Sequence, residues 1–521
     1  MIQKYLTTNK GRFYCAFIDF EKAFDRVNRL AMVYKLGKAG KNGKMYRVLN
    51  SMYAKVKSCV LTCDGLTDFF NCPVGVRQGC ILSPFLVSFF INDLHTELSQ
   101  DHILGDDVGC AVGLLKIFYL LFADDLILFS YNVIGLQRLL GKLKSYCDKY
   151  CLKVNLDKTK VIVFRNGGRL RNNEQWFYDA KKVDVVPCYS YLGITMASGG
   201  TWLQAQQQLA DKASKALHAL MTNLKQIGTV PYKLCFKIFD TKIVPILHYG
   251  SELWGHTEAP AIENVHLKFC KFVLNIYNSP LIHVAVRGEL GRHTMRAVRL
   301  VRIIKYWLRI LNMDNTRYVP QCYHFQCNMA DLGKNCWVKY LKDILFSFGF
   351  AETWYNQGVG DESAFLSLFR QRCLDIDFQN WSDIVSSFER LSTYNLFKTN
   401  LTLEHYLSIE MNPMFKRSML KFRVSAHSLL IEKGRHMNLQ RSERLCPSCQ
   451  TEIEDEIHFL LVCPLYLELR HQYIPQIFTE PPISQYKFIR LMQSKIPSTI
   501  RACAKYVHYA MEKRSYFLGE A

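Results

Sequence analysis

Two adjacent carboxylates, Asp124 and Asp125, interrupt the otherwise apolar run of residues 119–130, with Leu120, Leu121, Phe122 and Ala123 before them and Leu126, Ile127, Leu128 and Phe129 after. A buried ionised carboxylate is costly unless it is paired or bound to a metal, and no Lys or Arg stands beside this pair. The pattern asks for divalent cations. The apolar runs are short and rich in Ile, Leu, Phe and Tyr, so they read as two strands with the acidic pair at the hairpin tip. Hard, oxygen-rich ligands at such a tip suit Mg²⁺.

The 521 residues carry 66 Lys and Arg against 45 Asp and Glu, a formal net charge of +21. At roughly 150 residues each, about three domains are expected. The positive excess favours a polyanionic partner, because neutralising phosphates releases counterions; an anionic membrane surface is the competing reading. The most apolar long window, 111–129, is broken by Lys116 and the Asp pair well short of a span, so no membrane is expected. Met1, Ile2, Gln3 and Lys4 lead into polar residues and not into an apolar signal region. The 19 cysteines are odd in number, and most, such as Cys15, Cys80, Cys235 and Cys270, are scattered through apolar segments. That usage fits an intracellular, reducing compartment with buried thiols.

Upstream of the acidic pair, residues 13–20 form a β-rich run that reaches Asp19 and Phe20 and passes into a helical pattern over residues 21–27. Taken alone, Asp19 is more readily a cap for that helix than a ligand. Strand-like pieces at 58–62 and 67–73 lead to a glycine-bracketed loop containing Gln78 and Gly79. Glycine lets a backbone lie close to a flat ligand such as a base pair, although by itself an ordinary strand-to-helix turn explains the loop better. Ser83 as N-cap and Pro84 at the first helical position start a helix over 85–98. Residues 135–151 read as an amphipathic helix with Leu136, Leu139, Leu140 and Leu143 inward. Lys158, before the strand 161–164, either protonates a leaving group or is solvated. The hairpin-like stretch 189–195, with Tyr191, Leu192 and Gly193, closes this part.

From Trp202 the pattern is helical, over 203–224 and then 232–249 after Pro231. Arg292, Arg296, Arg299, Arg302, Lys305 and Arg309 recur every three or four residues opposite Val298, Val301, Ile304 and Leu308. This stripe either tracks a phosphate backbone or is a solvated face. Residues 331–400 are aromatic and helix-like without a chemical motif. Cys446, Cys449, His458 and Cys463 follow a C-x2-C-x8-H-x4-C spacing, which suits a closed structural zinc site with no position for a reacting water. The looser group Cys322, His324 and Cys327 reads as unconnected core residues.

In this order the motifs resemble the palm of a reverse transcriptase, and the likeness is closest to the non-long-terminal-repeat (LINE-type) retrotransposon family. It rests on residues 16–26, 75–84, 122–130, 154–160 and 191–193, and residues 446–463 look like that family's cysteine–histidine knuckle. The resemblance implies an α+β fold. A polymerase palm, an antiparallel sheet with packed helices, would occupy 1–200. A helical thumb with the basic helix would follow over 201–330, a helical connecting region over 331–440, and the zinc knuckle and tail over 441–521. The implied activity is RNA-directed DNA polymerisation. Asp19 and Asp124 would hold two Mg²⁺ ions, with Asp125 assisting and the Phe20 carbonyl contributing. Phe24 would exclude a 2′-hydroxyl, Gln78 and Gly79 would line the templating pair, and Lys158 would act as a general acid. Tyr191, Leu192 and Gly193 would grip the primer, and the basic stripe would hold RNA or hybrid duplex. Structural Zn²⁺ would fold the knuckle. The implied partners are an RNA template, a DNA primer and target, dNTPs, and a ribonucleoprotein with the element's own RNA. The nucleus is implied by the family only. The family carries a fingers region, and further upstream an endonuclease domain, before the Asp19 motif. Eighteen preceding residues thus predict an N-terminally truncated enzyme with impaired triphosphate binding. The competing class is a catalytically inactive, polymerase-derived nucleic-acid-binding protein. A template-dependent RNA polymerase is disfavoured by Phe24 and the knuckle.

Overall fold

Residues 12–18 alternate so that Phe13, Cys15 and Phe17 lie on one face of a strand and Tyr14, Ala16 and Ile18 on the other, and all six are buried. A strand that is apolar on both faces must be covered on both. This strand, β1 (Arg12–Ile18), belongs to a six-stranded sheet with β2 (Tyr119–Phe122), β3 (Asp125–Ser130), β4 (Lys160–Arg165), β5 (Trp176–Tyr178) and β6 (Lys181–Val185), in the order β5-β6-β4-β1-β3-β2. β1 runs antiparallel to both β3 and β4. The expected antiparallel pattern fails only between β4 and β6, which pair in parallel at Lys160–Asp184 and Val161–Val185. The computed structural model describes residues 2, 6, 11–40, 43–99, 109–112, 115–228, 230–276 and 282–519; the polar start at Met1, Gln3 and Lys4 lies outside them.

Five helices share the core on the Tyr14 face: α1 (Arg29–Lys38), the Lys44–Ala54 helix through Leu49 and Tyr53, α2 (Ser83–Ile91), α3 (Leu94–Ser99) and α4 (Val133–Tyr150). The 3.6-residue apolar spacing of α4 buries Leu136, Leu139, Leu140 and Leu143 as expected. Asn132 caps it, and Cys151 ends it in a left-handed conformation (φ 58°). The Phe13 face is covered by the hairpin of β7 (Cys188–Tyr191) and β8 (Ile194–Ala197), through Tyr189, Tyr191 and Met196. Cys322 and Phe325 of the Tyr318–Asp331 helix pack there as well, which makes Cys322 a core residue.

Four local expectations are corrected. Residues 21–26 form turns and not a helix: Lys22 is left-handed (φ 51°), and its carbonyl accepts from both Asp25 N–H and Arg26 N–H. The helix waits for Asn28, whose side chain caps α1, so Asp19 caps nothing. Ser83 is the first residue of α2 and not its cap, because its hydroxyl donates to the Arg77 carbonyl instead. The helix expected over 85–98 breaks between Ile91 and Leu94. The 232–249 segment splits into Tyr232–Lys242 and Val244–Leu247, since Pro245 lacks the N–H that the first ladder needs. The strand-like pieces between α1 and α2 form two nested ladders, Lys57–Ser58 with Phe70–Asn71 and Leu61–Thr62 with Gly65–Leu66.

The chain divides into two compact units, Met1–Ala205 with Arg309–Asp343 and Gln206–Leu308 with Ile344–Ala521. The second unit is built from helices, with Pro413–Arg423 and Pro497–Phe517 side by side. Inside it, Arg423 bonds Glu289 at 3.0 Å and Glu404 at 2.6 Å, and Lys398 pairs with Glu404. Among the described residues no helix is long and apolar enough to cross a membrane.

Candidate active site

Strand register brings the acidic residues together. β1 pairs with β3 from Tyr14 opposite Ser130 to Ile18 opposite Leu126, so one residue further Asp19 falls beside Asp125. Directly opposed residues of an antiparallel pair are neighbours at about 5 Å. Asp124 sits at the two-residue tip between β2 and β3, whose tight turn puts Ala123 at φ 53°. On its other flank, Asp19 N–H donates to Thr159 Oγ1 at 3.2 Å, and its carbonyl accepts from Asn155 N–H at 2.8 Å. Lys158 Nζ lies 3.8 Å from Asp19 Oδ2.

The local field is negative. Burial, then the charges of Asp124 and Asp19, push Asp125 above the usual carboxylate range. Burial, followed by Asp125, raises Tyr191 to about 12, and Tyr189 is raised by burial and then by Asp19 and Asp125. The two tyrosines belong to the hairpin beneath β1, where Tyr189 stacks on Phe17 at 4.7 Å. Tyr191 Oη donates to the Asp125 carbonyl at 3.5 Å. Leu192 (φ 48°) and Gly193 (φ 80°) form the turn of that hairpin, the two positive φ values that a two-residue connection of its hand requires.

A second loop borders the Asp19 turn. Val76 N–H donates to the Phe24 carbonyl at 2.8 Å and Gly75 N–H to the Val27 carbonyl at 2.9 Å, while Gln78 Nε2 donates to Asp25 Oδ1 at 2.9 Å. Phe24 is half-buried and packs against the core. Phe20 is buried and bridges Val154. Gly79 is left-handed (φ 78°), and a Cβ there would meet nothing within 4 Å.

The six basic residues do not form one outward stripe. Arg292 precedes the Arg296–Leu311 helix and grips Asp240 at 2.9 and 2.6 Å. Arg299 is 1% exposed and pairs with Glu263 at 3.1 Å, and Arg302 donates to the His248 carbonyl at 2.7 Å. Arg296, Lys305 and Arg309 are exposed, yet nine residues separate Arg296 from Lys305, about half a turn round the helix. Spacing alone hid this, because a basic residue reads as solvated until its acid partner on another helix is known.

In the second unit, Cys446 Sγ lies 3.7 Å from Cys463 Sγ, and Cys449 Sγ lies 3.5 Å from His458 Nε2. Four ligands at usual zinc distances in a tetrahedron would be about 3.8 Å apart for two sulfurs and about 3.6 Å for sulfur and nitrogen. Among the described residues, Cys446, Cys449 and His458 are the set whose ligand atoms all lie within 4.8 Å of one another. Glu452 Oε2 lies 2.9 Å from His458 Nδ1 and so orients the ring. The segment His458–Val462 is a π-helical turn. Carbonyls of this turn are held from outside, by Arg470 at Leu460 (3.1 Å) and by the Tyr506 hydroxyl at Phe459 (2.6 Å), and Arg470 also holds the carbonyl of Cys463 just beyond it (2.7 Å). The three aspartates do not close in this way; the charges of Asp124 and Asp19 act on Asp125 without the three carboxylates forming such a tight set.

Sequence reading missed several buried polar groups. Glu174, 2% exposed, accepts from Arg12 at 2.6 Å and from Tyr14 at 3.0 Å behind the sheet. Lys35 bonds Asp93 at 2.7 Å and the Phe90 carbonyl at 2.6 Å. Arg29 was missed as well. These three groups sit in no motif, and only the partner on a distant segment reveals the role of each; the exposed Glu452, inside the knuckle spacing, was missed too.

Residues 2–196 match the family described as reverse transcriptase (RNA-dependent DNA polymerase). That segment is a reverse transcriptase domain. Similar curated proteins include the RNA-directed DNA polymerase from mobile element jockey of Drosophila melanogaster, 23% identical over 52% of this chain and 29% of that protein. The Pol polyprotein from type-1 retrotransposable element R2 of Popillia japonica is 26% identical over 57% and 49%. That from type-2 retrotransposable element R2DM of Drosophila melanogaster is 31% identical over 36% and 18%. The matched segment is thus similar to the reverse transcriptases of LINE-type, non-long-terminal-repeat elements, and the chain spans less than half the length of each of these relatives. A telomerase structure from Candida albicans aligns over 62% of this chain and 53% of its own, at 13% identity and a TM-score of 0.29.

Proposed function

We propose that this chain is an RNA-directed DNA polymerase that extends a DNA primer on an RNA template by two-metal transfer of dNTPs to the primer 3′-hydroxyl. The convergence of Asp19, Asp124 and Asp125 at one sheet edge carries this reading: burial, and then the charges of Asp124 and Asp19, raise Asp125. A hard, oxygen-only donor set burdened with its own charge fits Mg²⁺. Asp19 and Asp124 would hold two ions, with Asp125 and the Phe20 carbonyl assisting. When bound, these would activate the primer hydroxyl and offset the charge of the triphosphate.

The surrounding groups act directly. Phe24 closes the space that a 2′-hydroxyl would need, so deoxynucleotides are selected. Gln78 and Gly79 bear on the templating pair. Lys158 Nζ holds a proton within reach of a departing pyrophosphate. Tyr191, Leu192 and Gly193 grip the primer. Of the basic set, Arg296, Lys305 and Arg309 remain to meet phosphates, while Arg292, Arg299 and Arg302 hold the helices together. Cys446, Cys449, His458 and Cys463 would hold a structural Zn²⁺, which stabilises the fold around it. The proposed partners are the RNA template, the DNA primer and target, dNTPs and the element's own RNA, in a reducing, nuclear setting.

Primer extension on poly(rA)/oligo(dT) with Mg²⁺ and dTTP, comparing this chain with Asp124→Ala, tests the reading. Extension that the substitution abolishes, with duplex binding retained, supports it. No extension by either form, with duplex binding preserved, assigns the chain to nucleic-acid binding without catalysis.

A further inference from the structure

We infer that Arg29 is a positioning residue that fastens the 75–79 loop to the Phe24 turn, so that sugar selection and template reading move as one block. The roles of Phe24 and Gln78 rest on the polymerase reading above; the fastening itself does not.

Arg29 breaks two local rules. It is the first residue of α1, where the helix dipole favours an acid over a cation. It is also 9% exposed, and among the described residues no carboxylate pairs with it. A charge placed so unfavourably for its helix marks a constraint from elsewhere in the structure. That constraint is a set of main-chain carbonyls. Nε donates to Gly75 at 2.6 Å, Nη2 to Val74 at 3.0 Å, and Nη1 to Tyr53 at 3.4 Å and to Cys72. The guanidinium also lies 5.4 Å over the Tyr53 ring. A planar fork with five donors can hold carbonyls on several sides at once, which a single ammonium cannot.

The same loop is held by its N–H groups from the other side. Gly75 N–H reaches Val27, Val76 N–H reaches Phe24, and the Gln78 amide reaches Asp25. The approach is so close that a Cβ on Gly75 (φ +84°) would lie 2.6 Å from the Asp25 carbonyl oxygen. Arg29 therefore takes the loop carbonyls while residues 24–27 take its N–H groups. The loop that carries Gln78 and the turn that carries Phe24 are clamped between them. Without the fork, the Val74 and Gly75 carbonyls lose their partners and the loop can lift from the turn.

Hydrogen exchange and nucleotide selection, measured on Arg29→Met and Arg29→Lys, test this. In Arg29→Met the Gly75 and Val76 amides should exchange on the order of tenfold faster while the Cys15 and Ala16 amides of β1 keep their protection. Arg29→Lys should give a smaller but measurable increase. The preference for dTTP over UTP in primer extension should fall several-fold in Arg29→Met, mainly through KM, and recover in part in Arg29→Lys. Unchanged exchange at Gly75 and Val76 in both variants overturns the inference, as does a loss of rate shared equally by the two nucleotides. If Arg29→Met unfolds, shown by lost protection in β1, Arg29→Lys decides by the same amides. Absence of extension by the unsubstituted chain would defeat the polymerase reading alone, and exchange at the loop would still decide the clamp.

Discussion

Replacing Arg514 by Met should loosen the knuckle from the helices that surround it. Arg514 lies on the Pro497–Phe517 helix, and its Nε and Nη2 donate to the two Glu454 oxygens at 2.6 and 2.7 Å. Both side chains are nearly inaccessible, at 2% and 3% exposed. Glu454 stands between Cys449 and His458 in sequence, accepts from Leu430 N–H at 2.6 Å, and joins Arg444 and Ile431 through its main chain. Removing one member of a buried pair leaves an uncompensated charge, at a cost of about 3–5 kcal/mol. For a unit of this size, that lowers the melting temperature by about 5–9 °C. The Glu454→Leu/Arg514→Met double variant removes both charges and leaves mainly the Leu430 N–H without a partner, a penalty of about 1–3 kcal/mol. The double variant should therefore melt above the single one. Calorimetry of the three proteins checks the order, with zinc content and primer extension measured alongside. An Arg514→Met protein that melts with the parent, or a double variant that melts at or below the single one, would refute the reasoning.

Three further outcomes are expected. Cys449→Ser should release zinc and lower the stability of the second unit while primer extension persists; metal analysis showing full zinc in the variant would contradict the four-ligand assignment. Phe24→Val should admit ribonucleotides, seen as UTP incorporation rising by about tenfold or more relative to dTTP, an effect of about 1.4 kcal/mol or more on the difference in barriers. Burial holds His248 down to about 4, whereas an unfolded histidine takes its proton near about 6.5. The unfolded state therefore binds the proton first as pH falls. The contribution of His248 to stability is complete above about 6.5 and declines toward about 4, by up to about 1.4 kcal/mol per pH unit. His256 and His266, also lowered chiefly by burial, add to the same slope. Melting from about pH 7 to about pH 4.5 should thus fall less steeply in His248→Asn than in the parent, and equal slopes would count against the account.

Elements whose pattern is local were legible from the start. The apolar spacing of α4, the two-faced run of β1 and the hairpin on either side of Asp124 all appear where their periodicity puts them. The turns at 21–26 were misread because the apolar spacing of that stretch suits a helix, while Lys22 leaves the helical region and Asn28 supplies the cap later. The basic series was misread for a different reason. Its spacing is helical, but Asp240, Glu263 and the His248 carbonyl draw Arg292, Arg299 and Arg302 inward, and none of these partners is near them in sequence.

By itself, the sequence determined which residue types carry the chemistry and in what order: a carboxylate after a strand, a glycine-flanked glutamine, an acidic pair at a hairpin tip, and a cysteine–histidine set late in the chain. Side-chain periodicity and turn chemistry are local properties, so a linear reading can recover them. Tertiary structure alone decided that Asp19 falls beside Asp125 and Lys158, that the 75–79 loop rests on the Phe24 turn under Arg29, and that half of the basic series faces inward. Those facts depend on strand register and on pairs formed between distant segments. A two-residue periodicity fixes which face a side chain takes, but not which strand lies beside it or where the pairing begins.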